Sequence, residues 1–340
     1  MPRPVRPRKK VFMTRAIDAA ALARLGAAAE VALWPGEMPP SALQLRAVLS
    51  QADAILSMVT DKLDAPAIAN ASRLRVISNL AVGVDNIDLE AATRAGIAVG
   101  HTPGVLTEAT ADLAFGLLMA TARRIAEGDR HVRAGKWRTW GPMTLLGRDV
   151  HSSTLGIIGL GAIGQAMARR ASGFGMQVLY LKRQAKRPAG DKIAGALGVS
   201  LRRLLAESDY VSVHVPLTVK TRHLMGPREF SLMKPGAIFI NTARGAVVDQ
   251  AAMLKALKSG RLAGAGLDVT DPEPITANDP LLRLDNVVIT PHIGSASIAT
   301  RAQMAAIAVG NILDVFAGRL PRFCANPGVR LRPSPGRPYP

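Results

Sequence analysis

A glycine-rich turn lies between an apolar strand and an alanine-rich helix in the stretch TLGIIGLGAIGQAMARRASGFGMQVLYLKR, residues 154–183. In a turn with G-x-G-x-x-G spacing, the first glycine allows a tight bend, the second lets the backbone approach a pyrophosphate, and the third lets helix and strand pack closely. The diphosphate then meets the amides at the helix N-terminus. The strand, turn, helix and strand together predict a dinucleotide site in a parallel α/β domain, the alternative being a merely structural turn. The residues assigned to this site are Gly159, Gly161, Ala162, Ile163 and Gly164.

The strand after that helix ends without an acidic residue. An Asp or Glu at this point usually accepts hydrogen bonds from the ribose hydroxyls of NAD(H). Residues 181–186 instead read LKRQAK, and such bases form charge-assisted hydrogen bonds with a 2′-phosphate. The sequence therefore predicts NADP(H) as the preferred cofactor, with NAD(H) use or a solvated basic loop as the alternatives. The side chains assigned to the cofactor here are Lys182, Arg183, Gln184 and Lys186.

Short apolar runs alternate with helical stretches along the whole chain. Examples are KKVFMTR at residues 9–15, ADAILSMV at 52–59, YVSVHVP at 210–216 and AIFINTA at 237–243. Strands that alternate with helices predict parallel, helix-covered sheets of the doubly wound α/β class. Residues 107–135 keep an apolar helical period for several turns, so they predict one long helix.

Composition is that of a globular protein with two domains. The chain has 340 residues, of which 48% are hydrophobic and 20% charged. No apolar run approaches the ~18 to 20 residues that cross a bilayer, and no apolar signal-peptide core follows the basic N-terminus. We therefore expect a cytoplasmic protein with no membrane partner. The single cysteine, Cys324, agrees with a reducing compartment and is expected to be a bystander.

The formal net charge of +18 raises the question of nucleic acid. Residues 1–10 and 319–340 each carry five bases and no acid, and both stretches are rich in proline. Such stretches are typical of mobile, solubilising extensions. Weak contact with a polyanion is the alternative, because basic arms bind phosphate backbones without a fold. We expect no nucleic-acid partner.

Three chemically active side chains follow three predicted strands of the second half of the chain. Arg244 follows AIFINTA, Glu273 lies in LDVTDPEP, and His292 lies in VVITPHIGSAS. The carboxyl ends of strands in a doubly wound sheet open onto the ligand crevice, so these residues are expected to converge. An arginine can hold a carboxylate through two hydrogen bonds, and an acid-backed histidine can transfer a proton near neutral pH. With a nicotinamide, this set predicts interconversion of a 2-oxoacid and a 2-hydroxy acid. No metal is expected. The alternative is that these residues are a surface arginine, a capping glutamate and a histidine at the start of a helix.

Six motifs, NLAVGVDNIDL, TEATADLAFGLLMA, GLGAIGQAMARR, NTARGAVVD, GAGLDVTDPEP and TPHIGSAS, occur in that order. Across roughly residues 45–320 they resemble the D-isomer-specific 2-hydroxyacid dehydrogenase family, and most closely its glyoxylate/hydroxypyruvate reductase branch. The resemblance implies a homodimer in which a Rossmann cofactor domain is inserted in a flavodoxin-like substrate domain. The implied substrate domain combines residues 11–103 with 293–322, the NAD(P) domain is 104–292, and the tails are 1–10 and 323–340.

The resemblance also implies roles for individual residues. Arg244 binds the substrate carboxylate and carbonyl, His292 is the acid–base group, and Glu273 is its partner. The backbone of Val82 and Gly83 holds the substrate carboxylate. A further substrate contact, Ser295, and further cofactor contacts follow: Thr110, Pro216, Thr242, Asp268 and Gly294.

The predicted function is therefore the NADPH-dependent reduction of glyoxylate, hydroxypyruvate or a similar small 2-oxoacid to the D-2-hydroxy acid. Reduction of 2-ketogluconate or another 2-oxoacid is the alternative. A nucleotide-sensing scaffold, like the transcriptional corepressors of this family, is the alternative of another class. His214 is predicted to be structural, while Trp137 and Trp140 are placed on a dimer arm that could reach the neighbour's pocket or simply pack.

Overall fold

The computed structural model describes residues 8–182 and 195–333, and its contacts divide the chain into two compact units. Unit 1 combines residues 1–106 with 296–340, and unit 2 comprises residues 107–295. Each unit is an α/β structure around a parallel sheet, which confirms the predicted fold class. Among the described residues, no helix is long and apolar enough to cross a membrane.

Unit 1 is built on a five-stranded sheet with the order β2-β1-β3-β4-β5. This is the flavodoxin-like order, in which the order of the strands reverses between β1 and β3. The central strands β3 and β4 are buried at every residue, as expected for strands covered by helices on both faces. The elements are β1 (Lys9–Met13), α1 (Ala19–Ala28), β2 (Ala29–Leu33), α2 (Ala42–Leu49), β3 (Ala54–Ser57), α3 (Ala65–Ala69), β4 (Val76–Asn79), α4 (Leu89–Arg94) and β5 (Ala98–Gly100).

The helices of unit 1 begin at polar side chains that cap free backbone amides. Asp18, Asp64 and Asp88 accept hydrogen bonds from amides of the first turns of α1, α3 and α4. Ser41 forms a reciprocal capping box with Gln44 at the start of α2. Each cap satisfies donors that a helix leaves unpaired, so these residues fix where the helices start.

Unit 2 is built on a seven-stranded parallel sheet with the order β12-β11-β10-β9-β6-β7-β8. Counted from its first strand, this is the Rossmann order with one added strand, and the switch point lies between β6 and β9. Single-turn 3₁₀ helices occur at Gly245–Val247 and Pro280–Arg283. The elements are α5 (Thr107–Ala122), α6 (Ile125–Arg133), β6 (Thr154–Ile158), α7 (Ala162–Gly173), β7 (Gln177–Leu181), β8 (Ala196–Val199), α8 (Leu201–Glu207), β9 (Tyr210–Val213), α9 (Pro227–Leu232), β10 (Ala237–Asn241), α10 (Gln250–Lys258), β11 (Leu262–Leu267) and β12 (Val287–Ile289). The chain then returns to unit 1 as α11 (Ile298–Phe316).

The prediction of one long helix at residues 107–135 is wrong, because this segment forms two helices, α5 and α6, with a break between them. Arg124 has a left-handed conformation, with φ 52°, and its guanidinium donates to both carboxylate oxygens of Glu127 at 2.7 and 2.8 Å. The end of α5 is also covered by a returning segment. The amide of Arg148 donates to the Ala122 carbonyl, and a Cβ on Gly147 would lie 2.4 Å from that oxygen.

The predicted tails differ from the structure at their inner ends. Strand β1 begins at Lys9, and Arg8 donates to the Ala29 carbonyl at 3.0 Å. Residues 323–333 pack along β5, where Asn326 is buried and its side chain binds both Val99 N and Ile97 O. Because β5 is an edge strand, its free backbone groups need partners, and this segment supplies them.

Candidate active site

The glycine turn occupies the switch point of the unit 2 sheet. Gly159 has φ 107°, and an added Cβ would lie 2.7 Å from the carbonyl of His214. At Gly164 an added Cβ would lie 2.1 Å from the Gly159 carbonyl oxygen. At Gly161, in contrast, an added Cβ meets nothing within 4 Å. Two glycines are therefore required by packing, and the third leaves open space beside the backbone.

That open space lies at the N-terminus of α7. Gly161 is the N-cap of the helix and offers no side-chain cap, so the first-turn amides are available to an anion. Among the described residues the buried hydroxyl of Thr242, after β10, has no hydrogen-bond partner. Uncapped amides and an unsatisfied hydroxyl at the carboxyl edge of the sheet are the groups that a dinucleotide would satisfy. The residues present therefore fit a nicotinamide cofactor.

The other predicted cofactor residues differ in their burial, and some of them lie outside the described residues. Thr110 is buried in α5, Pro216 is exposed after β9, and Lys182 is the first residue after β7. The Lys182 amide donates to Val199 O at 3.0 Å. Val199 ends β8, a strand that the sequence pattern does not predict. The remaining predicted contacts to a 2′-phosphate lie outside the described residues: Arg183, Gln184 and Lys186.

Arg244 is carried on a tightly held turn after β10. The buried side chain of Asn241 donates to the Arg244 carbonyl at 2.9 Å and accepts from the Ala243 amide at 3.0 Å. Gly245 packs so closely on the segment after β11 that an added Cβ would lie 1.9 Å from the Thr270 carbonyl oxygen. The turn that bears Arg244 is thus fixed against the segment that leads to Glu273.

Glu273 and His292 form the direct contact of the site. Nδ1 of His292 lies 2.5 Å from Oε1 of Glu273, and both side chains are about 30% exposed. A carboxylate beside Nδ1 holds the proton on that nitrogen, which leaves Nε2 as the nitrogen that can exchange a proton with a ligand. The pair is therefore arranged to donate or accept a proton through Nε2.

Asp268 holds the loop that carries His292. Its carboxylate accepts from Thr290 Oγ1 at 2.6 Å, from Ile293 N at 2.8 Å and from Gly294 N at 2.7 Å. The His292 amide donates to the Asp268 carbonyl at 3.0 Å, and His292 has a left-handed φ of 54°. A non-glycine residue in that region is strained and persists only where its surroundings hold it. The sequence predicts Asp268 as a cofactor contact and does not predict that it anchors this loop.

His214 differs from His292 although it also follows a strand at this edge. Its Nε2 lies 2.9 Å from the Ser212 hydroxyl, and burial lowers the pKa of His214 to about 4. The ring is therefore neutral at pH 7 and has no acidic partner in the described part of the chain. This environment agrees with the structural role predicted for His214.

The predicted substrate residues lie in both units. Ser295 is partly exposed at the end of the His292 loop, in unit 2. Val82 and Gly83 lie in the turn after β4 of unit 1. Unit 2 therefore brings the glycine turn and the three proposed catalytic side chains to one sheet edge, while the amides expected to hold the carboxylate belong to unit 1.

Comparisons with known proteins agree with this architecture. The model of the D-isomer specific 2-hydroxyacid dehydrogenase NAD-binding domain matches residues 115–294. A glyoxylate reductase from Korarchaeum cryptofilum is 49% identical over 326 residues, which cover 95% of this chain and 98% of the relative. A crystal structure of a Thermus thermophilus protein has a TM-score of 0.87 at 47% identity and covers 93% of this chain and 99% of its own. An NADPH-dependent glyoxylate/hydroxypyruvate reductase from Sinorhizobium meliloti, solved with NADP and malonate, has a TM-score of 0.85 at 32% identity, with 96% and 99% covered.

Proposed function

Because this chain belongs to the D-isomer-specific 2-hydroxyacid dehydrogenase family, we propose that it reduces a small 2-oxoacid of the glyoxylate or hydroxypyruvate type to the D-2-hydroxy acid, with NADPH as the preferred cofactor. The observation that carries the proposal is the 2.5 Å contact of His292 Nδ1 with Glu273 Oε1, at the sheet edge that also bears the glycine turn. The names of the Korarchaeum and Sinorhizobium relatives support the substrate class.

A bound nicotinamide supplies the hydride that is added to C2 of the oxoacid. The amides at the start of α7 would hold its diphosphate, and Gly161 leaves the space that this approach needs. The unpartnered hydroxyl of Thr242 is a further contact. Thr110, Pro216 and Gly294 complete the proposed lining.

Arg244 and the unit 1 turn recognise the substrate. The guanidinium of Arg244 pairs with the carboxylate and polarises the C2 carbonyl, because a planar donor fork matches oxygen acceptors. The amides of Val82 and Gly83, in unit 1, are proposed contacts of the substrate carboxylate, and Ser295 is an additional proposed contact. These groups orient the substrate before any bond changes.

His292 supplies the proton that completes the reduction. As an imidazolium it donates the Nε2 proton to the oxygen on C2 as the hydride arrives, so the carbonyl becomes a hydroxyl and the ring becomes neutral. Glu273 stabilises the charged ring before transfer and keeps the Nδ1 proton in place. The ring is then reprotonated from solvent, and the reverse sequence oxidises a 2-hydroxy acid.

The preference for NADPH rests on the end of β7. The expected acid is replaced by Leu181 and Lys182, and Arg183 and Lys186 follow in sequence. We expect Arg183→Ala to raise the KM for NADPH at least tenfold and that for NADH less than twofold, because only NADPH carries the 2′-phosphate. Steady-state kinetics with both cofactors measures this, and Arg222→Ala is a control. Equal increases for both cofactors would refute the assignment.

A homodimer is also proposed, on the basis of an exposed apolar stretch in unit 2. Trp137, Trp140 and Met143 are 62%, 78% and 76% exposed, and Ile125 and Leu146 are each 55% exposed. Large apolar side chains exposed in one stretch of chain are typical of interaction surfaces when they form a continuous patch. Sedimentation equilibrium tests the proposal, and a monomer at micromolar concentration would contradict it.

The decisive experiment for the function is a steady-state survey of 2-oxoacids with NADPH and NADH, followed by nicotinamide absorbance. Glyoxylate and hydroxypyruvate are expected to have the highest kcat/KM, with 2-ketogluconate as the competing substrate. Turnover of none of these acids by protein that binds NADPH would overturn the proposed activity and favour a nucleotide-sensing scaffold.

A further inference from the structure

Three consecutive carbonyl groups of the turn after β4 are held by three donors from unit 1. The carbonyl of Ala81 accepts from the Thr102 amide at 2.8 Å. The carbonyl of Val82 lies 2.9 Å from His101 Nδ1, and the carbonyl of Gly83 accepts from Asn79 Nδ2 at 3.0 Å. Two of these donors, Thr102 and His101, follow the end of the neighbouring strand β5.

Peptide planarity gives these contacts a consequence for the amides. In a trans peptide the N–H of one residue points opposite to the carbonyl of the residue before it. Holding the carbonyls of Ala81 and Val82 therefore aims the amides of Val82 and Gly83 in the opposite direction. Within the part of the chain that the structure describes, these two amides donate to no protein group. Successive free amides of this kind form a site for an anion.

We propose that His101 is a positioning residue for the substrate carboxylate, acting through the Val82 carbonyl on the Gly83 amide. The inference rests on the proposed function, because it takes these amides as carboxylate binders. A donor on the carbonyl oxygen fixes the peptide plane and polarises the N–H on its other side. His101 is not a catalytic residue in this proposal, since it touches the turn and not the substrate.

The ring of His101 is itself held in place by its backbone. The His101 amide donates to Phe323 O at 3.1 Å, and its carbonyl accepts from Asn311 Nδ2 at 3.1 Å. Asn311 is buried in α11 and packs so closely on β5 that a Cβ on Gly100 would lie 2.7 Å from its Nδ2. The side chain of His101 is only partly buried and makes one polar contact with the residues that the structure describes, so it can be replaced with little damage to the core.

The test compares His101→Leu, which removes the donor, with His101→Asn, whose amide nitrogen can take the place of Nδ1. We expect His101→Leu to raise the KM for glyoxylate about tenfold, with kcat and the Kd for NADPH each within about twofold of wild type. His101→Asn should restore the KM to within about threefold. The preference for glyoxylate over its uncharged methyl ester should fall about tenfold in His101→Leu only, because the ester carries no carboxylate for the turn to bind. His151→Leu, at an exposed histidine far along the sequence, is the matched control.

An unchanged KM and an unchanged acid-to-ester preference in His101→Leu would overturn the inference. A loss of kcat and NADPH affinity in parallel would also overturn it, since that pattern indicates general damage. If His101→Leu does not fold, His101→Ala replaces it in the same comparison. Absence of 2-oxoacid turnover in the wild-type protein would instead refute the proposed function, so the two failures are distinguishable.

Discussion

The carboxyl edge of the unit 2 sheet has two halves, which we name the cofactor half and the catalytic half after their proposed roles, and each presents one histidine. In the cofactor half, formed by the ends of β6 and β9, His214 is neutral because burial lowers its pKa to about 4, and its partner is the Ser212 hydroxyl. In the catalytic half, formed by the ends of β10, β11 and β12, His292 is partly exposed and contacts the Glu273 carboxylate at 2.5 Å. The same side chain at the same edge therefore has opposite electrostatic surroundings.

The difference extends to the backbone of the two halves. The cofactor half is shaped by missing side chains, because Gly159 and Gly164 allow contacts that no Cβ could accommodate. The catalytic half is shaped by buried polar side chains, because Asn241 and Asp268 hold the turns that carry Arg244 and His292. Glycines thus allow close backbone contacts in one half, and buried polar side chains fix the turns of the other.

Replacement of His292 by Gln is expected to have the largest effect. It removes the proposed proton donor, so kcat for a 2-oxoacid should fall about 10² to 10⁴-fold. The Kd for NADPH should stay within about twofold, since the glycine turn is untouched. Steady-state kinetics and nicotinamide fluorescence titration measure the two quantities, and His151→Gln is the control. A fall of less than tenfold in kcat would remove His292 from the proposed mechanism.

Two glycine variants separate packing from ligand access within the cofactor half. Gly164→Ala places a Cβ 2.1 Å from the Gly159 carbonyl oxygen, so it should destabilise the ligand-free protein by about 1 to 3 kcal/mol. Gly161→Ala meets no atom within 4 Å, so its Tm should match wild type while its Kd for NADPH rises at least tenfold. Thermal unfolding with and without NADPH distinguishes them. A lower Tm for Gly161→Ala, or a Gly164→Ala variant as stable as wild type, would contradict the roles assigned to these two glycines.

Replacement of Asp268 by Asn tests the support of the catalytic half. The Asp268 carboxylate accepts three hydrogen bonds. In asparagine one of the two oxygens becomes an NH₂ group, which faces a donor and cannot accept its hydrogen bond. We therefore expect the free energy of unfolding to fall by about 1 to 3 kcal/mol. The kcat should fall as well, because the His292 loop loses its anchor. Asp285→Asn, in an exposed ion pair with Arg130, should cost less than about 1 kcal/mol. Equal Tm values for both variants would show that Asp268 does not hold the loop.

The smallest expected effect is the pH dependence of stability that His214 contributes. Its folded pKa of about 4 lies below the ordinary value of 6.5, so the unfolded chain binds the proton first. Stability is therefore lost as the pH falls from about 6.5 towards 4, by about 1 kcal/mol between pH 7 and 5.5. The difference in Tm between pH 7 and pH 5.5 should be smaller in His214→Gln than in wild type. The same difference should be unchanged in His151→Gln, because His151 is exposed. Parallel curves for wild type and His214→Gln would contradict a buried neutral ring.

The sequence predicted the parts of the molecule that depend on local spacing. The G-x-G-x-x-G turn and the alternation of strands with helices are readable because each motif folds with its own neighbours, and both sheets agree with the prediction. The contact of Glu273 with His292 followed from their positions after adjacent strands. These features need only the direction of parallel strands and the residues that end them.

The supporting contacts could not be predicted in the same way, because they join residues distant in sequence. The fit of Gly245 against Thr270, and the break after α5 under Gly147, depend on segments about 25 residues away. Strand β8, with the sequence ALGV, is short and only partly buried, so it gives a weak signal. A signal was present for Asp268, since an acid directly after an apolar strand must find donors when it is buried.

The segment that pairs with β5 also has a consequence for solution behaviour. An exposed edge strand offers a row of unpaired amides and carbonyls on which another chain can add a strand and begin to aggregate. Here the side chain of Asn326 and the backbone of Ala325 occupy that row at Val99. Shortened forms that end before residue 323 would uncover it, so recombinant versions of this protein should keep these residues if they are to stay dispersed at high concentration.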